Sequence, residues 1–441
     1  MASTDKLLFD ASALNASLAF NFLKKGQTTI SYTSSSYENN YEVYFLETES
    51  DVIFQNNEVF NSIEDRTFSI SNHWQFNPAL AIQFGYNRNT KNVLFDFSIY
   101  SDEEPNYEDV NLSEGTFNHL YTSFQYSKGS LQLNGGLRTT HFVEAQNWAF
   151  SPRLNAQYAI NNSLKIKASA GIFQQYISQL KEFGENELGL NNQVWILNST
   201  EGDNLFIKAN KASAGFVYHQ NGWLIDVEGY YQNNTGLSTL TPLFQTSITI
   251  ADDYATGSST SKGLDVLLKK RITDYTIWVN YSLNKSIFSF PDIIDEPFPA
   301  TNDQRHTLSL INNWKYKDWT FSLSYQYKSG LPYSQPEDIV PFIEEDTGDI
   351  EYSLDYEALN QNRLPDYSRL DFGINYRPTF KRLPLKVEFN LSVLNLLNRT
   401  NLFSKDFYLA DLEDSDGIPE WYDIEKRLLK RTPQLVVRLY W

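Results

Sequence analysis

Apolar and polar residues alternate with a period of two along most of this chain. From Trp319 to Lys328, the residues Trp319, Phe321, Leu323, Tyr325 and Tyr327 share one face, and Thr320, Ser322, Ser324, Gln326 and Lys328 share the other. Leu385, Val387, Phe389, Leu391 and Val393 alternate in the same way with Lys386, Glu388, Asn390 and Ser392. The pattern recurs at Ile277, Val279, Tyr281 and Leu283, and at Leu164, Ile166, Ala168 and Ala170. An amphipathic helix needs apolar residues three and four apart, which these segments lack. They read as strands with one apolar and one wet face, about seventeen in all.

The connections between them alternate in length. Short turns fall at Lys24-Lys25-Gly26-Gln27, Asn77-Pro78-Ala79, Lys128-Gly129, Asn161-Asn162, Gln220-Asn221-Gly222, Thr273-Asp274, Lys317-Asp318 and Phe380-Lys381-Arg382. Long connections occupy 48–63, 99–114, 141–148, 177–205, 239–261, 289–303, 334–367 and 399–432. A membrane meander has this rhythm, with tight turns on one side and long loops on the other. A sandwich has Greek-key crossovers instead, and a propeller has a four-strand blade period that is absent here. Any antiparallel sheet with one solvated face alternates, but seventeen strands of 12–16 residues offer more apolar face than one sandwich core absorbs. The expected fold is all-β, an antiparallel up-and-down transmembrane β-barrel. At the C-terminus Leu435, Val437, Leu439 and Trp441 share a face, which suits a barrel strand ending on an interfacial aromatic.

Composition narrows the function classes. No stretch approaches 18 apolar residues, and Met1–Lys6 has no apolar signal core. The mean hydropathy of −0.45 is compatible with a barrel, whose strands average lipid-facing and lumen-facing residues. Lys and Arg number 36 against 54 Asp and Glu, a net charge of −18; nucleic acid is an unsuitable partner for such a surface. With no cysteine, disulfides, thiolate metal sites and cysteine nucleophiles are excluded. The five histidines, His73, His119, His141, His219 and His306, are too scattered for a metal-ligand spacing, and no catalytic constellation is marked.

Two charged features remain. The long loops are acidic, at Asp292, Asp295 and Glu296, and at Glu337, Asp338, Glu344, Glu345, Asp346, Asp349 and Glu351. They read either as a funnel for cations or as ordinary solvated loops. Within Asp411–Glu420, carboxylates alternating ahead of Gly417 suit a hard cation, so Asp414, Asp416 and Glu420 are expected calcium ligands, set against a plain Asp/Gly turn. The wet strand faces carry Arg138, Arg153, Lys165, Lys167, Arg377, Lys386, Glu388 and Arg438. These serve either cross-strand pairing within the wall or plug docking and solute selectivity.

Several segments carry a resemblance. They are Phe298–His306 (FPATNDQRH), Tyr327–Tyr333 (YKSGLPY), Arg363–Asp371 (RLPDYSRLD) and Val393–Asn401 (VLNLLNRTN), with Ser151-Pro152-Arg153 and Ile225–Tyr231. In this order they resemble the C-terminal barrel portion of TonB-dependent outer-membrane receptors of the Bacteroidetes type. The resemblance covers most of 150–441, and 1–149 matches only in style. It implies a 22-stranded barrel around an N-terminal plug in the outer membrane of a Gram-negative bacterium, in contact with outer-membrane lipid. It also implies import of a ligand, unidentified here, driven by TonB. On this reading 1–441 is a single barrel domain, a fragment without the plug and about five strands. An odd count makes the first and last strands parallel, so an open seam is expected between Leu14–Leu23 and Leu435–Trp441. The alternatives are a passive porin-like diffusion channel, an outer-membrane enzyme, and an adhesion or assembly protein.

Overall fold

The computed structural model describes residues 2–22, 25–46, 53–101, 107–180, 194–197, 206–240, 254–343, 350–356, 358–378, 386–409 and 419–440. Five tall strands begin the wall: β1 (Ala2–Phe22), β2 (Gly26–Leu46), β3 (Ile53–Asn77), β4 (Leu80–Ser101) and β5 (Tyr107–Lys128). Next come β6 (Leu131–Phe142), β7 (Asn147–Ala159) and β8 (Leu164–Gln175). A small hairpin of β9 (Ile177–Leu180) and β10 (Val194–Leu197) leaves the wall here. The wall resumes with β11 (Ile207–Gln220), β12 (Trp223–Leu240), β13 (Tyr254–Ile272) and β14 (Tyr275–Phe290). Short β15 (Ile294–Pro299) folds back on the end of β14. Then follow β16 (His306–Tyr316) and β17 (Trp319–Lys328). A long connection holds β18 (Pro332–Tyr333), β19 (Asp338–Ile343), β20 (Ile350–Asp355) and β21 (Asn362–Arg363). The last wall strands are β22 (Tyr367–Tyr376), β23 (Lys386–Leu394) and β26 (Thr432–Tyr440), with the hairpin β24 (Leu402–Leu409) and β25 (Trp421–Arg427) between the final two.

Among the described residues eighteen strands share one sheet; setting aside β15 leaves seventeen wall strands. Every wall strand pairs antiparallel with its wall neighbours along the chain. This is the expected up-and-down meander. The expected long connection at 141–148 is only the turn Val143–Gln146, that expected at 48–63 is shortened from the β3 side, and that expected at 99–114 is shortened from both sides. The cause is strand length: β1 to β5 run 21 to 25 residues, whereas roughly 9–11 residues cross the hydrocarbon. These strands therefore stand well above the membrane at their long-loop ends.

Alternation decides which face meets lipid. Phe68, Phe84, Leu120, Leu137, Leu154 and Ile166 all lie on one face of successive strands and are all exposed. At the short-turn end of that face the rings of Trp314, Phe321, Trp319, Tyr376 and Phe389 follow one another across β16, β17, β22 and β23, with centroids 4.2 to 6.3 Å apart. Such a belt marks a membrane–water interface. Lys270 lies over Trp223 at the same level, 4.7 Å from the ring centre.

β1 and β26 both run from the long-loop end towards the short-turn end. Among the described residues β1 pairs only with β2, and β26 only with β23. The open seam expected from the odd strand count is the arrangement observed, although β1 begins at Ala2 rather than near Leu14.

Four of the segments that carried the resemblance, Phe298–His306, Tyr327–Tyr333, Arg363–Asp371 and Val393–Asn401, form a hydrogen-bonded lattice along the long-loop rim. Asp303, almost wholly buried, takes bonds from the Ser286 amide at 2.7 Å, Arg305 at 3.1 Å and the Arg363 guanidinium. Asp366 accepts from the Tyr327 hydroxyl at 2.7 Å and the Gly330 amide at 3.2 Å. Asn401 clips both backbone groups of Ser368, each at 3.0 Å. Asn395 and Asn398 hold left-handed φ angles of 49° and 55°, which asparagine tolerates better than most residues. Asn395 then donates to the carbonyls of Arg399 at 2.8 Å and Leu429 at 3.2 Å. The motifs thus tie β16, β17, β22, β23 and β26 together at one rim, and their role is architectural.

Candidate functional site

The inward face of β3 to β6 is apolar above the membrane and polar below. In the upper part Val59, Phe95, Val93, Phe117 and Phe142 are buried, because the β9–β10 hairpin lies over them. Leu180 and Leu197 of that hairpin are themselves 0% and 5% exposed. Burying a leucine of this kind is worth about 1.5–3 kcal/mol. The Trp195 amide donates to Asn61 at 3.2 Å, which fixes the hairpin's height. Gly115 leaves the room: a Cβ there would stand 2.8 Å from a Leu197 methyl.

Directly beneath this roof is a polar recess of about 270 Å³. It is lined by Thr67, Asn87, Asn89, Lys91, His119, Arg138, Thr140, Ser151, Arg153, Gln174 and Tyr176. Strand register brings these together. Thr67 faces Asn89, Asn87 faces His119, His119 faces Thr140, and Arg138 faces Ser151 across the successive ladders. Arg153 lies opposite Gly171. Without a side chain there, the Arg153 stem crosses to β8 and its guanidinium stacks on Phe173 at 4.4 Å; Lys211 approaches the same ring at 5.3 Å.

The recess carries a local excess of positive charge. Lys91 is paired with Asp65, which also accepts from Asn89 at 2.6 Å. Arg138 and Arg153 have no ion pair among the described residues. His119 is 5% exposed and shares a 2.8 Å hydrogen bond with Thr140. Tyr176, just outside β8, is held against Phe117 at 4.4 Å, and burial raises its hydroxyl above the ordinary tyrosine value, so it stays a neutral donor.

Six of the eight charges expected inside the barrel fall into two sets, and Lys165 and Lys386 join neither. Lys167 bridges Asp226 at 2.7 Å and Glu228 at 2.8 Å. Glu388, buried, gathers Arg377 at 3.1 Å and Arg438 at 3.2 Å, with Asn375 and Tyr440 completing its shell. These are structural cross-strand pairs. Arg138 and Arg153 are the other set, and they face the recess. Of the expected calcium ligands, Asp414 and Asp416 lie outside the described residues, and Glu420 is exposed ahead of β25. Among the described residues no cluster of three or more carboxylates or histidines has metal-binding geometry.

Sequence reading had His119 only as a lone histidine and missed Asn89, Gln174 and Tyr176. Nothing local marks them, since the recess draws on residues from 67 to 176 and only register unites them.

No curated protein matches the chain in sequence. Among solved structures, the chain is similar to the ferric citrate transporter FecA in its unliganded form, with a TM-score of 0.63 at 12% identity, covering 99% of this chain and 62% of that one. It is similar to the siderophore receptor PiuA from Acinetobacter baumannii, with 0.62 at 12% identity, covering 99% and 65%. It is also similar to the ferric yersiniabactin uptake receptor FyuA from Yersinia pestis, with 0.61 at 11% identity, covering 93% and 60%. The chain therefore spans a little over six-tenths of these structures' length, and at such identities the likeness is one of fold. The family model described as "TonB dependent receptor-like, beta-barrel" matches residues 3–396. With the meander, the lipid-facing belt and the rim lattice in place, the chain belongs to the TonB-dependent receptor β-barrel family.

Proposed function

We propose that this chain is the barrel of an outer-membrane receptor that imports a scarce ligand with energy supplied through TonB. The observation that carries the reading is the polar recess on the lumen wall, roofed by an inward-folded hairpin. An inward-facing wall with a formed recess suits capture of a solute inside the barrel. The similar solved structures are named as transporters or receptors of iron chelates, which supports import as the activity. A passive diffusion channel is less well supported, because the β9–β10 hairpin lies against the inner wall and narrows the passage such a channel needs.

Depletion of solutes from the medium tests this. Cells carrying the receptor, a deletion strain and a TonB-deficient strain are each given a defined mixture of iron chelates, cobalamin and oligosaccharides. At least one solute is expected to disappear saturably, and only when both receptor and TonB are present. Depletion that is linear in concentration and indifferent to TonB would make the protein a channel.

A further inference from the structure

We propose that the recess beneath the β9–β10 hairpin binds a small anionic group of the imported solute, a carboxylate or phosphate carried next to a hydroxyl. This rests on the receptor reading and names the chemistry of its ligand. Three cations, Lys91, Arg138 and Arg153, face the recess, and the single carboxylate beside them among the described residues, Asp65, is already engaged by Lys91 and Asn89. Among the described residues that leaves two guanidinium groups without a carboxylate, in a chain whose net charge is −18. Guanidinium forks match the oxygens of carboxylate and phosphate.

Among the described residues three polar atoms of the recess are orphaned, Asn87 Oδ1, Asn89 Oδ1 and Arg138 Nε, and the last two sharpen the assignment. The Arg138 Nε–H is buried and has no hydrogen-bond partner among the described residues. Asn89 is 6% exposed, and its Oδ1 is also without a partner. Its orientation is fixed by chemistry: the Nδ2 faces the Asp65 carboxylate, which only accepts, so Oδ1 is the atom left over. Buried polar atoms left unpaired cost about 1–3 kcal/mol each. A spare donor on Arg138 and a spare acceptor on Asn89 together call for a ligand that offers both an anionic oxygen and a hydroxyl. At about 270 Å³ the recess admits one such group rather than a whole large solute, for which pockets of roughly 300–1,000 Å³ are usual.

The test uses the whole receptor extracted from outer membranes in mild detergent at low salt. Tartrate, succinate, threitol and inorganic phosphate are titrated calorimetrically. Tartrate is expected to bind more tightly than succinate, which lacks the hydroxyls, and threitol, the uncharged analogue, to give no heat. Phosphate binding above tartrate would support the proposal and assign the group as a phosphate. In the Arg138→Gln/Arg153→Gln variant the affinity for tartrate should fall at least tenfold, and Arg138→Lys should recover part of it. A heat-modifiable band in gel electrophoresis reports that each variant is folded. Tartrate and threitol behaving alike, or a folded double variant that keeps the wild-type affinity, overturns the proposal. Saturable TonB-dependent depletion that persists unchanged in the double variant overturns the recess assignment while leaving the receptor reading standing. Loss of TonB dependence in the wild type overturns the receptor reading by itself.

Discussion

Asp303→Ala is expected to lower the stability of the folded barrel by about 3 kcal/mol, the low end of the cost of breaking a buried ion pair from one side. Asp303 is 1% exposed and its carboxylate collects the Ser286 amide, Arg305 and Arg363. Removing it orphans a buried backbone N–H and takes the carboxylate from two guanidinium groups, of which Arg363 keeps the carbonyls of Asp303 and Gly330. Those groups are about a third exposed, so water takes up part of their loss, which is why the low end of the range applies. Arg363→Met should cost less, about 1–2 kcal/mol, because Asp303 would keep Arg305 and the Ser286 amide. Urea unfolding of the receptor in detergent micelles, followed by tryptophan fluorescence, measures both. Equal midpoints for wild type and Asp303→Ala would show that the rim lattice contributes nothing to stability.

The lattice also explains what sequence could and could not reveal. The architecture was legible because its rule is local: alternation along each strand follows from one face meeting lipid, and seven short turns placed the lower rim at the right positions, while the eighth, at Phe380-Lys381-Arg382, lies outside the described residues. The motif Phe298–His306 was legible as a string, but its use was not. Asp303 works through Arg363, sixty residues later, and only the folded rim brings the two together. The loop lengths misled in one direction. Residues such as Val59 and Phe97 continue the alternation above the membrane because the β9–β10 hairpin gives them something to bury against. A pattern generated by lipid on the outside and by protein on the inside looks the same in one dimension. The recess was hidden for the same reason as the Asp303–Arg363 pair. Arg138 and Arg153 stood out as inward charges, yet Lys167 and Glu388 stood out equally, and only register separates paired charges from free ones.

Gly330→Ala is expected to be as damaging as Asp303→Ala, by a different route. A Cβ on Gly330 would lie 1.6 Å from the carbonyl oxygen of Leu364 and 2.6 Å from its carbonyl carbon. The obstacle is backbone, and it is held from both sides: the Leu364 amide donates to Leu331 at 2.9 Å, and Pro332 pairs with Arg363. The two strands of chain must therefore separate, which takes Arg363 away from Asp303. Overpacking of this kind costs about 1–3 kcal/mol, occasionally more, and the lost ion pair is added to it. Gly129 is the control. It has a left-handed φ of 58° but nothing within 4 Å of the added methyl, so Gly129→Ala should cost only local strain, about 1 kcal/mol. Because Gly330→Ala and Asp303→Ala destroy the same contact, the double variant should lose less than the sum of the two, by at least about 1 kcal/mol, as residues sharing a network do. Strict additivity in that cycle would mean that the Gly330–Leu364 approach and the Asp303–Arg363 lock are separate devices.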